Sequence, residues 1–191
     1  MRIVGGALRG RSLRTPRHEG LRPTSDRVRE SIFNILAHGI AGFSITGARV
    51  IDLFAGTGAL GIEALSRGAS HCLLVEDDAS ARALIRENVE ALGLTGVTRI
   101  FRRDATDLGP RANIAPFDLA FLDPPYGKGL AERALLCLHA GQWLAPDAVV
   151  VVEDRAGTDL ALPDVLAEID RRTWGDTQVI FARVRSSLAS G

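Results

Sequence analysis

The most constraining feature of the sequence is a hydrophobic run that ends in a glycine loop. Val50-Ile51-Asp52-Leu53-Phe54 passes directly into Ala55-Gly56-Thr57-Gly58-Ala59-Leu60-Gly61, and an apolar-rich segment follows. The run reads as a buried strand, the glycines as a tight turn and the segment as a helix. Gly56 permits a turn where a side chain would crowd a ligand, Gly58 allows close backbone approach, and Gly61 lets the new helix pack against the sheet. Such a unit points to an α/β sheet that binds a ligand at the carboxyl end of its first strand.

The rest of the chain repeats that alternation. From residue 48 onward, strands are predicted over 49–54, 71–76, 99–102, 117–123, 149–153 and 178–184, and helices over 59–66, 79–92 and 130–138. The central strands are continuous apolar runs, as strands buried on both faces are. The pattern implies a doubly wound, mostly parallel sheet with helices on both faces. Residues 167–173 precede Trp174-Gly175-Asp176, a plausible turn, so the last two strands are expected to pair antiparallel at one edge.

Ahead of this body lies a basic extension. Residues 1–30 carry eight arginines against Glu19, Asp26 and Glu30, a balance of +5, while the other residues sum to −5. The formal net charge of zero therefore hides a directed electrostatic face. A short strand over 2–4, turns at Gly5-Gly6 and Gly10 and a basic loop are expected, then a helix after Pro23. Thr24, Ser25 or Asp26 can cap that helix, Val28, Ile32, Ile35 and Leu36 mark its apolar side, and Gly39 and Gly42 end it. The division expected is an extension over 1–42, a catalytic domain over 43–186 and a tail over 187–191, which suits a chain of 191 residues. No apolar run reaches the roughly 18 residues of a spanning helix, and the start lacks a signal-peptide core. Cys72 and Cys137 lack ligand spacing and are expected to be reduced, buried thiols. His18, His38, His71 and His139 are scattered, and no metal site is expected.

The glycine loop alone does not choose its ligand. Asp52, charged and inside an apolar strand, would be expensive to bury without a purpose. It can accept a hydrogen bond or attract a cation, and a pyrophosphate would gain nothing from it. S-adenosylmethionine carries a sulfonium and an amino group and no phosphate, so an acidic loop suits it. Phe54, Ala55, Gly56, Thr57, Gly58 and Gly61 make up the expected cradle. Glu76 closes the next strand 20 residues after Gly56, where an acid commonly takes ribose hydroxyls, with Asp77 as the alternative one register away. Asp104 can accept from an adenine amino group, and Ala105 leaves space beside it.

The sharpest signal is Asp123-Pro124-Pro125-Tyr126, at the end of a central strand. The prolines stiffen the turn and remove backbone donors, leaving an acceptor-rich site for an exocyclic amine. Tyr126 can stack on a base, an interaction worth about 1–3 kcal/mol. The chemistry inferred is methyl transfer to an aryl amine, oriented by Asp123 and the Pro124 carbonyl. Displacement at a sulfonium needs no metal and no strong base.

These motifs carry a family resemblance. Arg2-Ile3-Val4-Gly5-Gly6 with Arg9-Gly10-Arg11 and Leu13, then Leu21-Arg22-Pro23-Thr24-Ser25-Asp26-Arg27-Val28-Arg29-Glu30 with Phe33-Asn34, match two signatures in order. Residues 52–68 match a cofactor motif, and Asp123-Pro124-Pro125-Tyr126 a catalytic one. Over nearly its whole length the chain resembles bacterial guanine-N2 methyltransferases that modify one hairpin-loop guanine of 16S rRNA. The resemblance implies a seven-stranded class I methyltransferase sheet with an amino-terminal hairpin and helix. It also implies S-adenosyl-L-methionine as cofactor, and 16S rRNA within the small-subunit particle as partner. A cytoplasmic monomer without membrane or metal is expected. Arg9, Arg11, Arg14, Arg17 and Arg22 are expected on RNA phosphates, and Arg27 with Asn34 on the helix face turned to the cleft. The last two motifs alone would also admit an adenine-N6 DNA or RNA methyltransferase. An RNA-binding protein with a vestigial cofactor fold fits less well with Asp52, Glu76 and Asp123 all present.

Overall fold

The computed structural model describes residues 1–16 and 25–185. Helix α1 (Asp26–His38) precedes β1 (Arg49–Leu53), α2 (Ala59–Ser66), β2 (His71–Val75), α3 (Ala79–Ala91) and β3 (Thr98–Phe101). β4 (Phe117–Leu122), α4 (Leu130–Ala140), β5 (Leu144–Arg155), β6 (Leu166–Trp174) and β7 (Thr177–Val184) complete it. The strands form one seven-stranded sheet in the order β3-β2-β1-β4-β5-β7-β6. β1 to β5 run parallel, and β7 enters antiparallel between β5 and β6. The expected edge hairpin is present, with the last strand in chain order on the inside.

Alternating residues separate two cores, as the two-residue repeat of a strand dictates. Val50, Cys72, Leu74, Leu119, Phe121 and Val151 face α1, α2 and α3. Ile51, Leu73, Val75, Ala120, Val150 and Val152 face α4. The coverage is lopsided, because no helix lies between β5 and β6 and the 156–165 connection does that work with Leu160 and Leu162.

The amino-terminal segment belongs to the first core. Ile3 and Leu13 are buried there beside Ile32, Phe33 and Leu36 of α1. Residues 1–13 form a tight hairpin, with the Ile3 amide donating to the Arg11 carbonyl and that of Leu13 to Met1. Gly6 has φ +77° and lies so close to α2 that a Cβ would fall 1.9 Å from the Ser66 carbonyl oxygen. A glycine pair is what lets this hairpin sit on the end of α2. Ser25 caps α1 by accepting from the Val28 amide at 3.2 Å.

Three sequence expectations change. The buried stripe of α1 is Arg29, Ile32, Phe33 and Leu36, whereas Val28 and Ile35 are only half-buried. Phe33 turns inward because Phe121 of β4 receives it, ring centroids 5.5 Å apart. β5 starts five residues before the predicted 149, because exposed Pro146-Asp147 interrupts its apolar run without ending its pairing. Cys72 is fully buried, but Cys137 is half-buried, its thiol donating to the Thr106 carbonyl at 2.9 Å. Pro23 and Thr24, Arg17, Arg22, His18 and the tail from residue 186 lie outside the described residues.

Candidate active site

The strand order reverses between β1 and β4, and both candidate loops leave the sheet there. Open α/β sheets bind ligands at such a reversal, because the loops on either side turn away in opposite directions. The loop after β1 turns through three left-handed residues, Phe54, Gly56 and Gly58, with φ of +59°, +55° and +77°. Gly61 is needed for packing: a Cβ there would lie 2.5 Å from Cys72 Sγ and 2.8 Å from Leu74 Cδ2.

Asp52 is 1% exposed, and its Oδ2 accepts from the Gly61 amide at 2.9 Å. The carboxyl therefore braces the first turn of α2 against β1. Burial raises its pKa from 3.8 to about 8, the Gly61 hydrogen bond opposes this, and nearby Glu76 adds to it. Glu76 joins the same loop from β2. Its Oε2 accepts from the Gly56 amide at 2.8 Å and its Oε1 from the Asp78 amide at 2.9 Å. Each carboxylate oxygen keeps a further lone pair for a ligand hydroxyl. Asp77 is exposed. Asp104 is exposed beyond β3; Oδ1 accepts from the Thr106 amide and hydroxyl, which lowers its pKa. Ala105 is buried in the α4-side core.

A cleft opens between the two loops. Phe54, Ala55, Gly56 and Thr57 line it, together with Asp52 and Asp123. Asp123 is half-buried, Pro124 buried, and Pro125 and Tyr126 exposed. The Tyr126 ring is not loose: its hydroxyl donates to Glu153 Oε1 at 3.2 Å and lies 3.4 Å from Thr177 Oγ1. Burial, the largest cause, raises the hydroxyl's pKa to about 12.

Of the groups expected to meet RNA, Arg17 and Arg22 lie outside the described residues. Arg9, Arg27 and Asn34 are exposed. Arg11 donates to the Ala91 carbonyl at 3.2 Å, and exposed Arg14 pairs with Glu87 at 2.8 Å. Among the described residues no group of three or more histidine, cysteine or acidic side chains could hold a metal ion.

Two residues outside the expected set connect these parts. Glu63 on α2 is fully buried and accepts from the amides of Val4 at 2.9 Å and Gly5 at 2.8 Å, and from Arg67 Nε at 2.8 Å. Arg29 of α1 is also fully buried, and it lines the cleft. Both were detectable in principle: Glu63 stands among apolar residues of α2, and Arg29 is three, four and seven residues from Ile32, Phe33 and Leu36.

Residues 1–183 match the family model described as "Conserved hypothetical protein 95". Ribosomal RNA small subunit methyltransferase D of Escherichia coli strain K12 is 39% identical over 84% of this chain and 77% of its own length. The chain belongs to the bacterial small-subunit rRNA (guanine-N2) methyltransferase family. A second member named ribosomal RNA small subunit methyltransferase D, from Haemophilus influenzae, is 35% identical over 92% of this chain and 89% of its own. A methyltransferase structure from Escherichia coli superposes with a TM-score of 0.82 at 34% identity, covering 98% of this chain and 99% of the other. For this methyltransferase family the cofactor is S-adenosyl-L-methionine.

Proposed function

We propose that the protein methylates the exocyclic N2 of one guanine in 16S rRNA, using S-adenosyl-L-methionine and acting as a cytoplasmic monomer on the small-subunit particle. The observation that carries this reading is the meeting of the Asp123 turn and the glycine loop in one cleft at the sheet reversal.

The residues present fit the cofactor. The loop from Phe54 to Gly58 with Gly61 offers close backbone approach, and Glu76 and Asp52 offer acceptors on the same side. In this reading Glu76 takes the ribose hydroxyls, with Asp77 beside it, and the Asp104-Ala105 segment takes the adenine. When bound, the cofactor supplies an electrophilic methyl on a sulfonium.

The amine is a poor nucleophile because its lone pair is delocalised into the ring. Asp123 and the Pro124 carbonyl accept its N–H bonds, turn the lone pair toward the methyl and stabilise positive charge as it grows on nitrogen. Once methylated, the nitrogen would be acidic and its proton would pass to water without a strong base, while Asp123 and the Pro124 carbonyl would still hold the amine in place. Tyr126 stacks on a base taken out of its loop, which costs least when the base is already unpaired. Arg9, Arg11, Arg14, Arg17, Arg22 and Arg27, with Asn34, hold the RNA.

The test is methyl transfer from labelled cofactor to small-subunit particles that lack the modification, with the product located by nuclease mapping and mass spectrometry. A single N2-methylguanine in 16S rRNA is expected. N6-methyladenine, or no transfer to particles, would overturn the reading.

A further inference from the structure

Glu153 is an acid placed where burial is costly. It follows the valines at 149–152 of β5 and is 5% exposed. β4 and β5 are paired in parallel up to Leu122 and Val152, so Asp123 and Glu153, the next residue of each strand, leave the sheet side by side. On its other flank Glu153 is paired with Val179 of β7. Its Oε1 accepts from the Tyr126 hydroxyl at 3.2 Å. Thr177, the first residue of β7, places its Oγ1 3.4 Å from the same hydroxyl. A phenol has one proton to give, so with that proton on Glu153 the threonine is the donor of the second contact.

These contacts hold a ring that its own loop does not brace. The prolines stiffen the backbone only as far as residue 125. Beyond the ring, Gly127 at φ +76° and Gly129 at φ +61° offer no side chain to pack on it. Tyr126 is nevertheless 41% exposed, so the ring stays open to a partner. Burial raises the hydroxyl's pKa to about 12, which keeps the donor present at every pH near neutrality. A ring fixed in advance loses less freedom when a base stacks on it, and that saving favours the productive complex.

We propose that Glu153 is a positioning residue for the methyl transfer: with Thr177 it sets the plane of the Tyr126 ring beside Asp123 before the target base arrives. This rests on the reading that Tyr126 stacks on that base. Glu153 acts through Tyr126 and not by touching the base itself.

The experiment is a double-mutant cycle on the full chain, read as single-turnover methylation of small-subunit particles that lack the modification, at saturating cofactor. Glu153→Ala is expected to slow the reaction about 2–10-fold, the share of one immobilised side chain. Glu153→Gln keeps an acceptor for the phenol and should run at roughly half the unmodified rate or better. Tyr126→Phe has no hydroxyl to hold, so adding Glu153→Ala to it should slow the reaction no further. Affinity for S-adenosylhomocysteine, measured by calorimetry, should be the same in every variant. Tyr126 is the single tyrosine of the chain, so relaxation NMR on tyrosine-labelled protein reads its ring alone. Ring order should fall in Glu153→Ala and persist in Glu153→Gln. Additive losses in the double variant would show a general structural role and overturn the proposal. So would an unchanged rate in Glu153→Ala, or a loss of cofactor affinity that matches its loss of rate. If Glu153→Ala does not fold, ring order in the unmodified protein decides: a fixed ring that Thr177→Val loosens sustains the assignment, and a ring as free as in an unfolded chain overturns it. An undiminished rate in Tyr126→Ala would instead overturn the stacking reading, and this proposal with it.

Discussion

Asp52 is the residue at which burial and chemistry conflict most. Its carboxyl is wholly inside, with an effective pKa near 8 against 3.8 when exposed. The folded state therefore holds a proton that the unfolded chain releases. Its contribution to stability is full below about pH 4 and is lost as pH rises through about 8. Asp52→Asn keeps an acceptor for the Gly61 amide and has no proton to lose. Melting temperatures from pH 5 to 8 should accordingly fall less steeply for Asp52→Asn than for the unmodified protein, and parallel curves would refute the assignment. Tyr126 poses a different question. A reading from the sequence makes only its face important, so Phe should replace it, yet the hydroxyl ties the ring to Glu153. Tyr126→Phe is expected to lose about 2–10-fold in single-turnover rate, the share of one hydrogen bond. Tyr126→Ala should lose more, up to roughly 100-fold, because stacking goes as well. Equal losses would mean that stacking contributes nothing.

At the scale of elements, Glu63 and Ser66 attach the amino-terminal hairpin to α2, and Glu63 carries the charge. One carboxylate, buried on α2, takes the amides of Val4 and Gly5 and faces both Arg67 and Arg29. Removing it leaves buried charges and amides unpaired, a change that typically costs about 3–5 kcal/mol. Glu63→Ala should show that loss in urea denaturation. Hydrogen exchange should speed up at Val4 and Gly5 while the amides of β1 and β4 keep relatively greater protection. If Val4 and Gly5 stayed as protected as before, the hairpin would owe its position to the burial of Ile3 and Leu13 and to its hydrogen bonds with Ser66.

For the whole molecule, charge is arranged so that Arg11 and Arg14 of the +5 segment lie against α3. Arg9→Ala, Arg11→Ala and Arg14→Ala combined should weaken particle binding and reduce the slope of log affinity against log salt by up to about two, at roughly 0.7 per lost phosphate contact on single strands. Arg14 contributes least to this expectation, because its exposed pair with Glu87 has to be exchanged. Cofactor affinity should be unchanged. An unaltered slope would remove these arginines from the RNA interface.

Much of this architecture was legible in one dimension. Continuous apolar runs mark parallel strands covered on both faces, and the glycine spacing after Phe54 marks the strand–loop–helix unit, because few side chains tolerate its backbone angles. The boundaries of α2, Ala59–Ser66, follow from the same local rules. The Asp-Pro-Pro-Tyr turn was legible because two prolines at a strand end have few other uses. Other features depended on partners remote in sequence. The inward turn of Phe33 required Phe121, the tether on Tyr126 required Glu153 and Thr177, and the hairpin seat required the carbonyl of Ser66. Arg29 is the clearest case. Its spacing places it on the buried stripe of α1, but the composition of a helix cannot say whether a buried arginine meets an ion pair or a cavity. Only the packed structure shows that Glu63 is already occupied and that Nε and Nη1 of Arg29 have no hydrogen-bond partner among the described residues, since hydrogen-bond satisfaction is a property of the three-dimensional neighbourhood.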